Sequence, residues 1–381
     1  MRGHIVKRGV DSYSVIIRRG KDPNNGKYLQ SWITVKGTKK DAEKKLSELL
    51  HQLDTGNFMK PGKTTTADFL EHWLAEYAKP NLSPRGFERY SGIIKKHLIP
   101  EIGNVPLALL KPEHLQKHYT AKLDSGLSAR TVRYHHAVIH KALQTALKWG
   151  LVARNVADAV DPPKFTRTDM KTWSEEELSQ FLTAARDSQY YPLFYAALFT
   201  GMRRSELLAL RWQDIDMGSS QIYVNRSLHQ LKDNTFIFTQ PKSVKSRRTI
   251  AMSPSLIQIL KQHFDNQKSE LALQGVTQTD QDMVFSHFDG TPLRPNSVTR
   301  AFETLASQCG LKVIRFHDTR HTHASLMLKQ GVHPKVVQER LGHASIQMTI
   351  DTYSHVAPGI QEAAAYRFDE LITGVPVPSL K

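Results

Sequence analysis

Cysteine is almost missing from this sequence: Cys309 stands alone among 381 residues, which excludes an internal disulfide and a cysteine-built zinc site. Long apolar runs are missing too, and none reaches the ~20 residues of a membrane-spanning helix. The opening MRGHIVKRGV is basic and lacks the apolar centre of a secretory signal. There is no internal repeat and no low-complexity tract. No P-loop glycine pattern occurs, and no carboxylates are spaced for a two-metal centre. These absences favour a cytoplasmic protein, away from membranes, with no cofactor and no metal expected.

Positive charge, by contrast, is abundant. A net charge of +16, from 52 lysines and arginines against 36 acids, points to a polyanionic partner, nucleic acid first. An anionic membrane is the lesser candidate, because no stretch pairs a basic face with a strongly apolar one. The length, with 40% hydrophobic residues, supplies material for two or three domains with real cores.

Three domains are expected. Residues 1–60 read as a small α+β unit, with alternating stretches near Gly3–Lys7, Tyr13–Arg19 and Leu29–Val35 as three strands. The turn Asn24-Asn25-Gly26 separates the last two. A helix follows over Lys39–Leu53, capped by Thr38, with Ala42, Leu46, Leu49, Leu50 and Leu53 on one face. This unit carries 13 basic residues against six acids, so a large part of the excess charge lies in the first sixth of the chain. A basic three-stranded sheet can enter a major groove; a solvated charged face accounts for the same residues.

Residues 65–160 read as all-helical. Phe69, Trp73 and Tyr77 recur every four residues and build a buried stripe. Ser83-Pro84 marks a helix start, Pro100 and Gly103 should break the chain, and Ser128 caps a long helix ending before Gly150. Arg130, Arg133, His135, His136, His140 and Lys141 on that helix suit a DNA-facing surface or plain solvation. The Pro- and charge-rich segment 161–173 reads as a linker.

Residues 172–381 read as mixed and mainly helical. Ser174 with Glu177 forms a capping box, and the apolar run Leu193–Phe199 stops at Gly201. A helix is expected over Ser205–Leu210, with short strands at Gln221–Asn225, Thr235–Phe238 and Arg247–Ala251. Helices resume near Ser255–Phe264, Asn296–Gln308 and Ile360–Leu371.

The residues that carry chemistry lie in this last part. Arg203, just past the helix stop at Gly201, offers a planar fork matching two phosphate oxygens. Glu206 is assigned to holding nearby backbone or an arginine. Lys242 and Lys245 fall between two expected strands, where a hairpin tip could carry an amine to a leaving oxygen. His317 and Arg320 lie three apart, on one face if helical. His343 follows Gly342, whose lack of a side chain leaves room for a bound backbone. The four histidines His317, His321, His323 and His343 lack the paired spacing of a zinc site. Tyr353 is the candidate nucleophile. Ionising a phenol at pH 7 costs ~4 kcal/mol, which neighbouring cations and a histidine base can offset. A phosphotyrosine bond keeps the free energy of the phosphodiester, so rejoining needs neither ATP nor a metal.

Taken together, Thr200-Gly201-Met202-Arg203-Arg204-Ser205-Glu206-Leu207, His317-Asp318-Thr319-Arg320-His321, Leu341-Gly342-His343 and Tyr353 resemble the catalytic motifs of the tyrosine recombinase, or phage integrase, family. The resemblance implies catalytic roles for Arg203, Lys242 (Lys245 as alternate), His317, Arg320, His343 and Tyr353. Ala251 stands where the family often has proline, and Met202 where it usually has leucine. Residues 65–160 resemble the helical core-binding domain, and residues 1–60 the arm-binding domain of phage and conjugative-transposon integrases. The implied function is site-specific integration or excision of a mobile element through a 3′-phosphotyrosine. The implied partners are duplex DNA at core and arm sites, three further copies of the chain, a DNA-bending host factor and an excisionase, on the nucleoid of a bacterial cell. The alternatives are a non-catalytic DNA-binding regulator and a type IB topoisomerase-like activity.

Overall fold

The structure is a computed structural model that describes residues 3–21, 28–54, 64–165, 170–240, 247–353 and 360–374. The chain divides into two compact units, residues 1–167 and 168–381. Among the described residues no helix is long and apolar enough to cross a membrane.

The first unit opens with an antiparallel sheet, β1 (Gly3–Gly9), β2 (Ser12–Lys21) and β3 (Tyr28–Lys36), in that order. The register pairs Ile5 with Val15 and Val15 with Ile33. Strand period two therefore puts Ile5, Val15, Ile17, Ile33 and Val35 on one face, where Ala42, Leu46, Leu49 and Leu50 of α1 (Lys39–Asp54) cover them. Thr38 and Asp41 exchange hydrogen bonds at the start of α1. The expected Asn24-Asn25-Gly26 turn and the side chain of Leu53 lie outside the described residues.

The helical part runs α2 (Thr66–Trp73), α3 (Lys79–Asn81), α4 (Pro84–Ile93), α5 (Ile99–Ile102), α6 (Pro112–Asp124) and α7 (Ala129–Lys148). Phe69 and Trp73 are buried in its core, and Tyr77 stacks on Trp73. Ser128 caps α7 as expected. Pro100 does not break the chain. A five-residue π-helical turn, Ile94–Leu98, joins α4 to α5, and the Ile99 N–H reaches back five residues to Ile94. The wider turn relieves the clash of a proline ring with the carbonyl four residues back. Leu74–Ala78 does the same ahead of Pro80.

The histidines of α7 divide in a way their basic character did not suggest. His135 is buried and bonds His118, which bonds Glu101. His136 bonds the Tyr119 hydroxyl. Burial, then the neighbouring His97 and His118, push His135 down to about 4, so it is a neutral core residue, not a phosphate contact.

In the second unit, α8 (Glu175–Ala184) starts at the Ser174–Glu177 capping box. Trp173, Phe181, Phe194 and Phe302 interlock beneath it. Next come α9 (Tyr191–Thr200) and the short α10 (Arg204–Leu207). Leu193, Phe194, Ala196, Ala197 and Leu198 of α9 are all buried, the mark of a helix enclosed on every side.

Five strands follow: β4 (Ile215–Asp216), β5 (Gln221–Val224), β6 (Ser227–Gln230), β7 (Phe236–Thr239) and β8 (Arg248–Ala251). The expected hairpin of the last two is not formed. β7 pairs with β6 through a turn at Asn234, whereas β8 pairs with β5. The segment carrying Lys242 and Lys245 thus runs from one sheet to another; both lysines lie outside the described residues. The chain ends with α11 (Pro254–Leu273), α12 (Pro295–Gln308), α13 (Asp318–Lys329), α14 (Pro334–Leu341), α15 (Ile346–Tyr353) and α16 (Ile360–Thr373).

Candidate active site

Three chain stops bring the polar residues together. Gly201 ends α9 in the left-handed conformation, φ +64°, which a side chain would strain. The chain turns there, and Arg203 becomes the residue that caps α10. Its N–H donates to the Glu206 carboxylate at 2.9 Å and its guanidinium donates to the same group at 2.7 Å. Glu206 thus holds both backbone and an arginine, the role expected of it.

A second arginine shares that carboxylate. Arg248 of β8 donates to its two oxygens at 3.1 and 2.8 Å. Glu206 is 5% exposed, and burial alone would raise its pKa. The two guanidiniums outweigh burial and hold it down to about 2.

Arg320 lies in the first turn of α13 and is 2% exposed. It donates to the carbonyls of Gly201, at 2.9 Å, and Leu341, at 2.7 Å. His317 stands at the N-cap of the same helix, its ring 5.3 Å from that of His321. Burial among its neighbours, then His321 and Arg320, lower it to about 4, although part of the residue is exposed to solvent.

Gly342 ends α14 in a second left-handed turn, φ +68°, and delivers His343. Gln338 fixes the His343 backbone on both sides: its carbonyl accepts from the His343 N–H, and its amide donates to the His343 carbonyl. The His343 Nδ1 is 2.8 Å from the Thr349 hydroxyl of α15. Burial first, then Arg320 and Arg203, push His343 down to about 3. Tyr353 closes α15, one turn beyond Thr349; its side chain lies outside the described residues.

Arg203, Arg320 and His343 therefore meet around the end of α14, with His317 on the helix that carries Arg320. Several supporting groups were not picked out from the sequence. Arg340 donates to the carbonyls of Phe199 and Ala251 and to the ring of His323. Thr349 and Gln338 hold His343. Arg248 had one available signal. It lies two residues before Ile250, which is 1% exposed, so strand period two puts a guanidinium on a buried face, where a charge must be paired.

Residues 171–359 match the model of the phage integrase family, and residues 65–123 match the phage integrase N-terminal SAM-like domain. The chain belongs to the phage integrase family. It is similar along nearly its whole length to the tyrosine recombinase XerC-like protein of Caldanaerobacter subterraneus subsp. tengcongensis, at 28% identity over 96% of this chain and 98% of that one. The ICEBs1 integrase of Bacillus subtilis is also 28% identical, over 94% and 97%. Among solved structures, the Tn1549 transposon integrase in complex with transposon right end DNA superposes with a TM-score of 0.66 at 21% identity, covering 81% of this chain and 99% of that one. A lambda integrase dimer on a core site reaches 0.58 over 92% and 94%, at 18% identity. The fold is thus that of tyrosine recombinases, with the helical domain and the catalytic domain both represented.

Proposed function

We propose that this chain is a site-specific DNA recombinase, an integrase that cuts and rejoins DNA through a covalent 3′-phosphotyrosine to integrate or excise a mobile element. The observation that carries the reading is the meeting of Arg203, Arg320 and His343, from three separate stretches of chain, at the end of α14. In this reading the two guanidiniums and the His343 imidazole bind the non-bridging oxygens of the scissile phosphate. They stabilise the charge that builds there in the transition state. Tyr353 attacks phosphorus: the bond from its oxygen to phosphorus forms as the bond to the 5′-oxygen breaks. The phenol gives up its proton with His317 assisting, and Lys242, or Lys245 in its place, supplies one to the departing oxygen. One phosphoester replaces another, so the reverse step needs no energy source.

The domains divide the DNA between them. Residues 1–60 take arm sites, residues 65–160 and 172–381 take the core site, and four protomers act on two duplexes. A DNA-bending host factor and an excisionase are the accessory partners, and the protein works on the nucleoid of a bacterial host. Removing residues 1–60 is expected to leave core-site cleavage in place. It should flatten the salt dependence of binding to arm-containing DNA, with the logarithmic slope falling by about one for each phosphate that this domain neutralises. Equal slopes for the two proteins would remove the arm-binding role.

The test of the reaction is a duplex nicked close to the cleavage point, from which the short product diffuses away. The wild-type protein should accumulate on the 3′ end as a denaturation-resistant adduct and leave a free 5′-hydroxyl; Tyr353→Phe should bind the same DNA and form none. Binding without an adduct in the wild type would leave a non-catalytic regulator. Relaxation of plasmids that lack attachment sites would point to a topoisomerase.

A further inference from the structure

The last three carbonyls around the end of α14 each accept from a different arginine. The Arg340 carbonyl takes the Arg248 Nε at 2.7 Å, the Leu341 carbonyl takes Arg320 at 2.7 Å, and the Gly342 carbonyl takes Arg203 at 3.4 Å. Carbonyls at a helix end lack intrahelical partners and carry the negative end of the helix dipole, so this end of α14 gathers guanidiniums. Arg203 and Arg320 already have roles in the reaction proposed above. Arg248 has none, although each of its three nitrogens donates to Glu206 or to the Arg340 carbonyl. Its side chain is 5% exposed. It bridges the Arg340 carbonyl to both oxygens of Glu206, and Glu206 in turn holds Arg203.

The contact with Gly342 is equally close. A Cβ at Gly342 would meet the Arg248 side chain at 3.0 Å from Cδ and 3.2 Å from one terminal nitrogen. Arg248 thus fills the space that glycine leaves, immediately before His343. We propose that Arg248 is a positioning residue that locks the Gly342–His343 turn at a fixed height against Arg203, so that both reach the same phosphate. The inference rests on the recombinase reading. Lysine is not equivalent to Arg248, because its one nitrogen cannot pair side by side with both oxygens of Glu206 while a second nitrogen reaches the Arg340 carbonyl. A shift of about 1 Å in a reacting group is enough to cost ~100-fold in rate.

The experiment is single-turnover cleavage of the nicked duplex at saturating protein, alongside DNA affinity and thermal melting, for the full-length wild type, Arg248→Lys, Gly342→Ala and the double variant. Wild-type adduct formation is the reference: its absence would sink the recombinase reading itself. Given that activity, each single variant should bind DNA within about threefold of wild type and cleave ~100-fold more slowly. The double variant should be no slower than the worse single one, because both disrupt one contact. A lysine variant that cleaves at the wild-type rate, losses that multiply in the double variant, or cleavage that falls only in step with DNA affinity or folding would each overturn the role. Should Arg248→Lys fail to fold, Arg248→Gln and Gly342→Ala carry the same comparison.

Discussion

Replacing Glu206 by alanine is expected to lower the melting temperature by about 10 °C and to abolish measurable strand cleavage. Glu206 is the shared counter-charge of Arg203 and Arg248, and the two arginines face different consequences when it goes. The Arg203 side chain is 36% exposed and can return its charge to water. Arg248 is 5% exposed and cannot, so its guanidinium stays buried without a carboxylate. Breaking a buried pair from one side costs about 3–5 kcal/mol, and for a unit of this size each kcal/mol moves the midpoint by about 2–4 °C. Glu206→Gln should lose nearly as much stability, because its amide nitrogen turns a donor toward a guanidinium. Removing both partners in Glu206→Ala/Arg248→Met should recover part of the melting temperature without recovering cleavage. Thermal melting and adduct formation on the nicked duplex measure the two effects separately. A loss below about 1 kcal/mol in Glu206→Ala would mean that the carboxylate is not what neutralises the two arginines.

The sequence exposed those features whose cause is local. Ser128 and Ser174 cap the helices they were expected to cap, because a cap is a bond between residues three apart. Gly201 and Gly342 mark chain reversals for the same reason: glycine takes φ near +65° at no steric cost. Arg203 and His343 could be named as candidates because they sit beside such glycines, and His317 and Arg320 because they lie three apart in a short motif. The rest depends on partners far away in sequence. Arg248 meets Glu206 across 42 residues and the Arg340 carbonyl across 92, and no local pattern encodes either contact. His135 looked like a surface cation because its burial is set by His118 on another helix. Neighbouring strands in the chain suggested a β7–β8 hairpin, but β6, Ser-Leu-His-Gln, has one apolar residue and so no alternation to read, and it takes β7 instead. Pro100 looked like a break because the π-helical turn that accommodates it has no side-chain signature.

Acid should destabilise the protein in two stages, and the sign follows from which state holds the protons. His323 and His343 are both pushed down to about 3 in the folded protein. Burial is the largest cause for each, followed by Arg340 for His323 and by Arg320 and Arg203 for His343. At pH 8 both are neutral folded and unfolded, so neither contributes. Below pH 6.5 the unfolded chain takes up protons that the folded chain refuses, and stability falls until the pH reaches the folded values. Each histidine contributes at most about 1.4 kcal/mol per pH unit in that window, so the pair removes up to ~2–3 kcal/mol by pH 5.5. Glu206 acts in the second stage. Its pKa is lowered from 4.5 to about 2, so its stabilisation is complete above pH 4.5 and is lost as the pH falls toward 2. His343→Gln should therefore show a shallower fall of melting temperature than the wild type from pH 6.5 down to about 3, with no difference in slope below that. A phosphate beside His343 would favour its charged form, so core-site DNA should flatten the same part of the wild-type curve and leave that of His343→Gln unaltered. Parallel curves for the two proteins, with and without DNA, would show that His343 neither refuses a proton in the free protein nor meets phosphate in the complex.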